Sequence, residues 1–125
     1  MELEYALICD QAFLTKENKL CLIGIFETIN AEKFPTTHNQ FYVAGTIFPD
    51  KREFTIGIDV TNTQGSILDR KHERKVKLPD IGRQFNFIMD VLNAEFPRMG
   101  EYSVELVVDG KTIKRMPLTL GKIDS

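Results

Sequence analysis

The chain contains no tryptophan and only two histidines and two cysteines among its 125 residues. Each scarcity removes a class of explanation. His38 and His72 stand alone, and Cys9 and Cys21 are far apart, so no CxxC, HxxxH or HExxH spacing brings zinc ligands to one side. Ser66, Ser103 and Ser125 lie in no nucleophile-elbow context, and the cysteines occupy apolar positions that disfavour a thiolate. The glycines never fall into GxGxxG or GxxxxGK spacing, which leaves nucleotide phosphates without a backbone cradle. No catalytic, metal or cofactor residue is assigned from these patterns, and the chain is expected not to be an enzyme. The longest apolar run, Leu20 to Phe26, is far short of the ~20 residues a membrane helix needs. Glu2 and Glu4 put acid where a secretory signal carries base. A cytoplasmic protein with no membrane contact is the expectation.

What is present is the composition of one globular domain, here residues 1–125, with 42% apolar and 27% charged residues. The formal charge of −2 supplies no general attraction to nucleic acid. Period-two alternation dominates. Phe54, Ile56, Ile58 and Val60 face one way, while Thr55, Gly57, Asp59 and Thr61 face the other, as in a half-buried strand. Further strands are expected at roughly 3 to 14, 20 to 29, 40 to 48, 66 to 70, 74 to 78, 84 to 93, 102 to 109 and 112 to 120. Between them stand turn formers, of which Asp109-Gly110 is the clearest hairpin signal. Pro117 inside the last segment marks an edge or bulged strand, and Gly45 and Gly57 mark bulges or close backbone approach. Eight or nine antiparallel strands without a helical stripe predict an all-β Greek-key sandwich.

A hairpin turning within Thr15 to Asn18 places Cys21 opposite the stretch Gln11 to Phe13, so both thiols are expected to be reduced. The same hairpin breaks the rule of one wet face. Leu3, Tyr5, Leu7 and Cys9 oppose Ala6 and Ile8, while Leu20, Leu22 and Phe26 oppose Cys21, Ile23 and Ile25. Something must cover the outward side, and the chain's own loop from Asn30 to Asn39 is the expected cover. A second copy or a partner protein is the alternative, engaging Tyr5, Ile23, Ile25 and Phe26. The other conspicuous feature is Arg70-Lys71-His72-Glu73-Arg74-Lys75-Val76-Lys77. It offers Arg70, Lys71, Arg74, Lys75 and Lys77 to a nucleic acid or other polyanion, or else guards a sheet edge with charge. Asp10, Asp50 and Asp80 near strand ends are the only candidates for calcium, each beside turn residues that explain it anyway. A site built from loop aspartates and His38 is the form an enzyme would take.

The segment Phe96 to Val104, with Gly100 two residues before Tyr102, resembles the corner opening the penultimate strand of immunoglobulin-like sandwiches. That resemblance implies a Tyr102 hydroxyl bonded to upstream backbone. Val104 stands where antibody domains have cysteine, so the kinship is to the broad architecture. Over most of its length the chain is also similar to a family of small uncharacterised bacterial proteins. The elements carrying this are Cys9-Asp10, Gly24-Ile25-Phe26, Phe34-Pro35, Gly65, Gly100 with Tyr102, and Asp109-Gly110. The resemblance implies a bacterial cytoplasmic protein and brings no active site. The leading expectation is a non-enzymatic interaction or assembly module acting through an apolar sheet face or a strand edge.

Overall fold

In the computed structural model, which describes residues 1–68 and 72–123, every regular element is a strand. They are β1 (Glu2–Leu14), β2 (Leu20–Ile25), β3 (Thr28–Ala31), β4 (Thr36–Phe48), β5 (Glu53–Asn62), β6 (Gly65–Ser66), β7 (His72–Lys77), β8 (Phe85–Phe96), β9 (Gly100–Val108) and β10 (Lys111–Lys122). One sheet has the order β2-β1-β4-β8. The other has the order β3-β10-β9-β5, with β6 and β7 both pairing to β5. All pairings are antiparallel except β3 with β10.

The alternation in the sequence becomes the core. Phe54, Ile56, Ile58 and Val60 are all buried and meet Phe41, Val43, Phe87 and Val91 of the facing sheet in one apolar cluster. Gly45 is required by a close approach: a Cβ there would collide with the Tyr5 carbonyl, beside the β1 irregularity between Leu3 and Tyr5. Asp109 (φ 48°) and Gly110 (φ 80°) form the tight β9–β10 turn. Pro117 lies where β10 has only β9 as a neighbour, because β3 pairs no further than Thr119. The Tyr102 hydroxyl donates to the Arg98 carbonyl at 2.6 Å and accepts from the Arg98 amide at 3.3 Å, closing the corner before β9.

Three expectations need correction. The strand expected at 66 to 70 is reduced to the two residues of β6, with Ile67 and Leu68 outside it and positions 69 and 70 outside the described residues. The stretch 20 to 29 is not one strand: β2 ends at Ile25, and β3 starts at Thr28 in the opposite sheet. The reason is Phe26, which turns inward, half-buried and edge-on to Phe41 with ring centroids 6.3 Å apart. Nor does the stretch Asn30 to Asn39 cover the first hairpin. It is taken up by the end of β3, a short bend and the start of β4, with Ile29 buried between the sheets.

The cover comes instead from the hairpin. β1 runs along β4 from Glu2, opposite Phe48, to Cys9, opposite Tyr42, and on β8 Asn86 lies opposite Thr46, level with Tyr5. A straight ribbon at about 3.3 Å per residue would carry its tip roughly 25 Å beyond Cys9. The tip nevertheless returns to Asn86, whose Nδ2 donates to the Asn18 carbonyl at 3.3 Å. It can pass β4 only over the outward face, since the inward face is filled by the core. The ribbon is therefore folded back across its own sheet, and Cys9, Ala44 and Thr46 lie at most 3% exposed on a side that should face solvent. The hinge is Asp10 with Gly24, whose φ of 72° an L-side chain rarely adopts and whose Cβ would lie 2.6 Å from Asp10 Oδ2.

Candidate interaction surface

The folded hairpin hides one apolar face and presents another. Ile25 pairs with Cys9, Ile23 with Gln11, and Cys21 with Phe13, so Ile25, Ile23 and Phe13 share one side of the ribbon. They are 57%, 52% and 47% exposed, and Tyr5 and Leu7 on the outward face of β1 are each 37% exposed. Leu7 and Ile25 meet across a groove of about 180 Å³ that β10 closes with Lys114, Arg115, Met116 and Pro117. Three of the four side chains read from sequence, Tyr5, Ile23 and Ile25, thus reach the surface together. Phe26 does not, for the packing reason given above. Leu7 and Phe13 complete the strip. The alternation of β1 could have placed Leu7 there, whereas Phe13 depends on the fold-back.

The register of the two thiols agrees with the sequence reading: Cys21 pairs with Phe13, and both cysteines are free. Burial, then the neighbouring Asp10 carboxylate, pushes the Cys9 thiol above its ordinary pKa. Cys9 is a packed apolar group under the ribbon, where the thiolate is disfavoured.

In the basic stretch, Arg70 and Lys71 lie outside the described residues. The remainder forms the edge strand β7, pairing Lys77 with Glu53, Lys75 with Thr55 and Arg74 with Ile56. Alternation divides its cations: Arg74 shares a side with buried Val76, while Lys75 and Lys77 point the other way. Lys77 Nζ is 3.6 Å from Glu53 Oε1. The aspartates also separate. Asp50 accepts from the Met1 ammonium at 2.6 Å, Asp10 stands at the hinge, and Asp80 is exposed before β8. Among the described residues no three His, Cys, Asp or Glu side chains gather into a metal-binding group. None of the described structure is a helix long and apolar enough to cross a membrane.

The profile of a family of unknown function, DUF6941, matches residues 4–121, from the irregularity of β1 to the end of β10. The chain belongs to DUF6941. Among curated proteins nothing matches. For this DUF6941 chain the family carries no activity to transfer, so function must be argued from the surface.

Proposed function

We propose that this DUF6941 protein is a non-enzymatic protein-interaction module, built on an immunoglobulin-like Greek-key sandwich and acting in the bacterial cytoplasm. The architecture is supported by three features: β4 beside β8 in one sheet, β10-β9-β5-β7 in the other with β3 parallel to β10, and the Tyr102 corner. Relative to that frame the β1–β2 ribbon is an addition. The unpaired thiols agree with a reducing compartment.

The observation that carries the functional reading is the strip of Ile25, Ile23, Phe13, Leu7 and Tyr5 on that ribbon. Large apolar side chains scattered singly on a surface need no explanation; five exposed on two paired strands mark a docking surface. The partner is a protein that presents a complementary apolar surface, and the DUF6941 ribbon contributes anchors rather than chemistry. A photo-crosslinking residue at position 25, compared with the same residue at position 103 on the opposite sheet, tests this in a cell extract. The expected result is one discrete protein adduct from position 25 that excess unlabelled protein competes away and Ile23→Ser abolishes. Equal, non-competable labelling from both positions would overturn the reading. The alternative, a polyanion held by β7 and the preceding basic residues, requires binding that weakens steeply with salt.

A further inference from the structure

The edges of the two sheets are defended unequally. β7 carries Glu73, Arg74, Lys75 and Lys77; the free part of β10 carries Lys111, Lys114, Arg115 and Pro117; β2 is bent by Gly24; and β3 and β6 are at most four residues long. These are the usual devices against edge-to-edge pairing: charge, proline, kinks and shortness. β8 has only one of them between Phe85 and Leu92, the single carboxylate of Asp90. It is twelve residues long, FNFIMDVLNAEF, without lysine, arginine, proline or glycine, and no described strand pairs with its far side. It pairs with β4 from Phe85 to Phe96 without a shift in register. At Asn93, with φ of 53°, the burial pattern changes step, from Phe87, Met89 and Val91 to Ala94 and Phe96.

We infer that β8 is the self-association edge of this protein, joining antiparallel to β8 of a second copy to make a continuous eight-stranded sheet. A two-fold axis perpendicular to the sheet requires residues of the same face to oppose one another, which limits the registers. Centring on Asp90 sets two carboxylates against each other, and centring on Met89 sets Ile88 against Asp90. Centring on Ile88 removes both conflicts. Ile88 meets its own copy, Asn86 opposes Asp90 of the second copy with the one Nδ2 hydrogen not given to Asn18, and Phe87 continues the inner face beside Met89 of that copy. This register uses residues 84 to 92 and leaves the Asn93 step outside the ladder. The self-complementarity of the strand is the argument for a second copy over an unrelated extended segment. The contact involves none of Tyr5, Ile23 and Ile25, so it stands or falls separately from the proposed docking strip.

The test is sedimentation and light scattering of the full chain over a concentration series, with variants on each surface. The expected mass rises from 14.3 kDa to twice that value at tens of micromolar or above. Ile88→Lys, which puts two ammonium groups face to face on the axis, returns the protein to monomer, whereas Ile25→Lys leaves the dimer intact. Because Ile88 is half-buried, register is checked without a charge. In a Cys21→Ser background, Ile88→Cys yields a covalent dimer under mild oxidation and Leu92→Cys does not. A mass of one chain at every concentration overturns the inference. So does a dimer lost with Ile25→Lys and retained with Ile88→Lys, which would assign self-association to the hairpin.

Discussion

The outward faces of the two sheets are opposites. On the β5-β9-β10 side the surface is wet. Glu105 accepts from Thr61 Oγ1 at 2.8 Å and Thr112 Oγ1 at 3.1 Å and lies 3.4 Å from Arg115 Nε, while Ser66 Oγ donates to Asp59 at 2.5 Å. On the β1-β4-β8 side the corresponding rows read Leu7-Ala44-Ile88 and Cys9-Tyr42-Asp90, mostly apolar. One buried polar exception, Thr46, donates to Asn86 Oδ1 at 2.7 Å. A sheet with two apolar faces needs a second cover. Here the continuation of β1 supplies it, and because that ribbon is itself apolar, the exposed grease moves one layer outward instead of disappearing. The docking reading follows from that displacement.

Charges placed on the two outward faces break the comparison most strongly. Ala44→Asp buries an unpaired carboxylate between the sheet and the ribbon, and should cost about 3–5 kcal/mol in urea unfolding. Ser103→Lys, on the wet face between Thr61 and Pro117, should stay within about 0.5 kcal/mol. Similar costs for both would mean that the ribbon does not seal the face beneath it.

Much of this arrangement was legible in the residues, and the part that was not has identifiable causes. Alternation located the strands because one face of each must be buried. Asp109-Gly110 and Pro117 were readable because each constrains the backbone locally, and the Gly100–Tyr102 pair through its resemblance to an immunoglobulin-like corner. Thiol register followed from counting outward from the Thr15 to Asn18 turn, where Asn18 takes φ of 63°. The fold-back was hidden because it depends on Gly24 adopting a positive φ within what reads as an unbroken strand, and on a contact between Asn18 and Asn86, 68 residues apart. The same hinge region sends Phe26 inward. Once β2 ended at Ile25, the segment that had been expected to cover the hairpin was drawn into the other sheet. The basic stretch was legible as composition. Its division between two sides of an edge strand required the pairing of β7 with β5.

The two thiols sharpen the comparison from within the covered side. Cys9 is fully buried with its pKa raised, whereas Cys21 on the ribbon is half-buried. Alkylation of the native protein followed by mass spectrometry should therefore modify Cys21 first, with Cys9 reacting at least tenfold more slowly. Gly24→Val strains the hinge by about 1–2 kcal/mol and should narrow the gap by lifting the ribbon. Unchanged protection of Cys9 in that variant would show that its burial owes nothing to the fold-back.

The smallest effect expected belongs to the wet sheet and appears only in acid. The Lys51 ammonium, and then the Thr55 amide donating at 2.9 Å, hold the Asp109 carboxyl below its ordinary range. A carboxyl with a depressed folded pKa stabilises the fold fully above its unfolded value, about 3.9, and loses that contribution as pH falls through the lower folded value. Both side chains are solvent-exposed, so screening keeps the contribution small. Wild-type stability should decline across this acid window more steeply than that of Asp109→Asn, and hydrogen exchange at the Thr55 amide should accelerate with it. The Ala44 amide, inside the apolar stack, should keep its protection over the same range. Acid loosening that reached both amides together would mean that the two outward faces share one cooperative unit, and that their chemical difference does not extend to how they open.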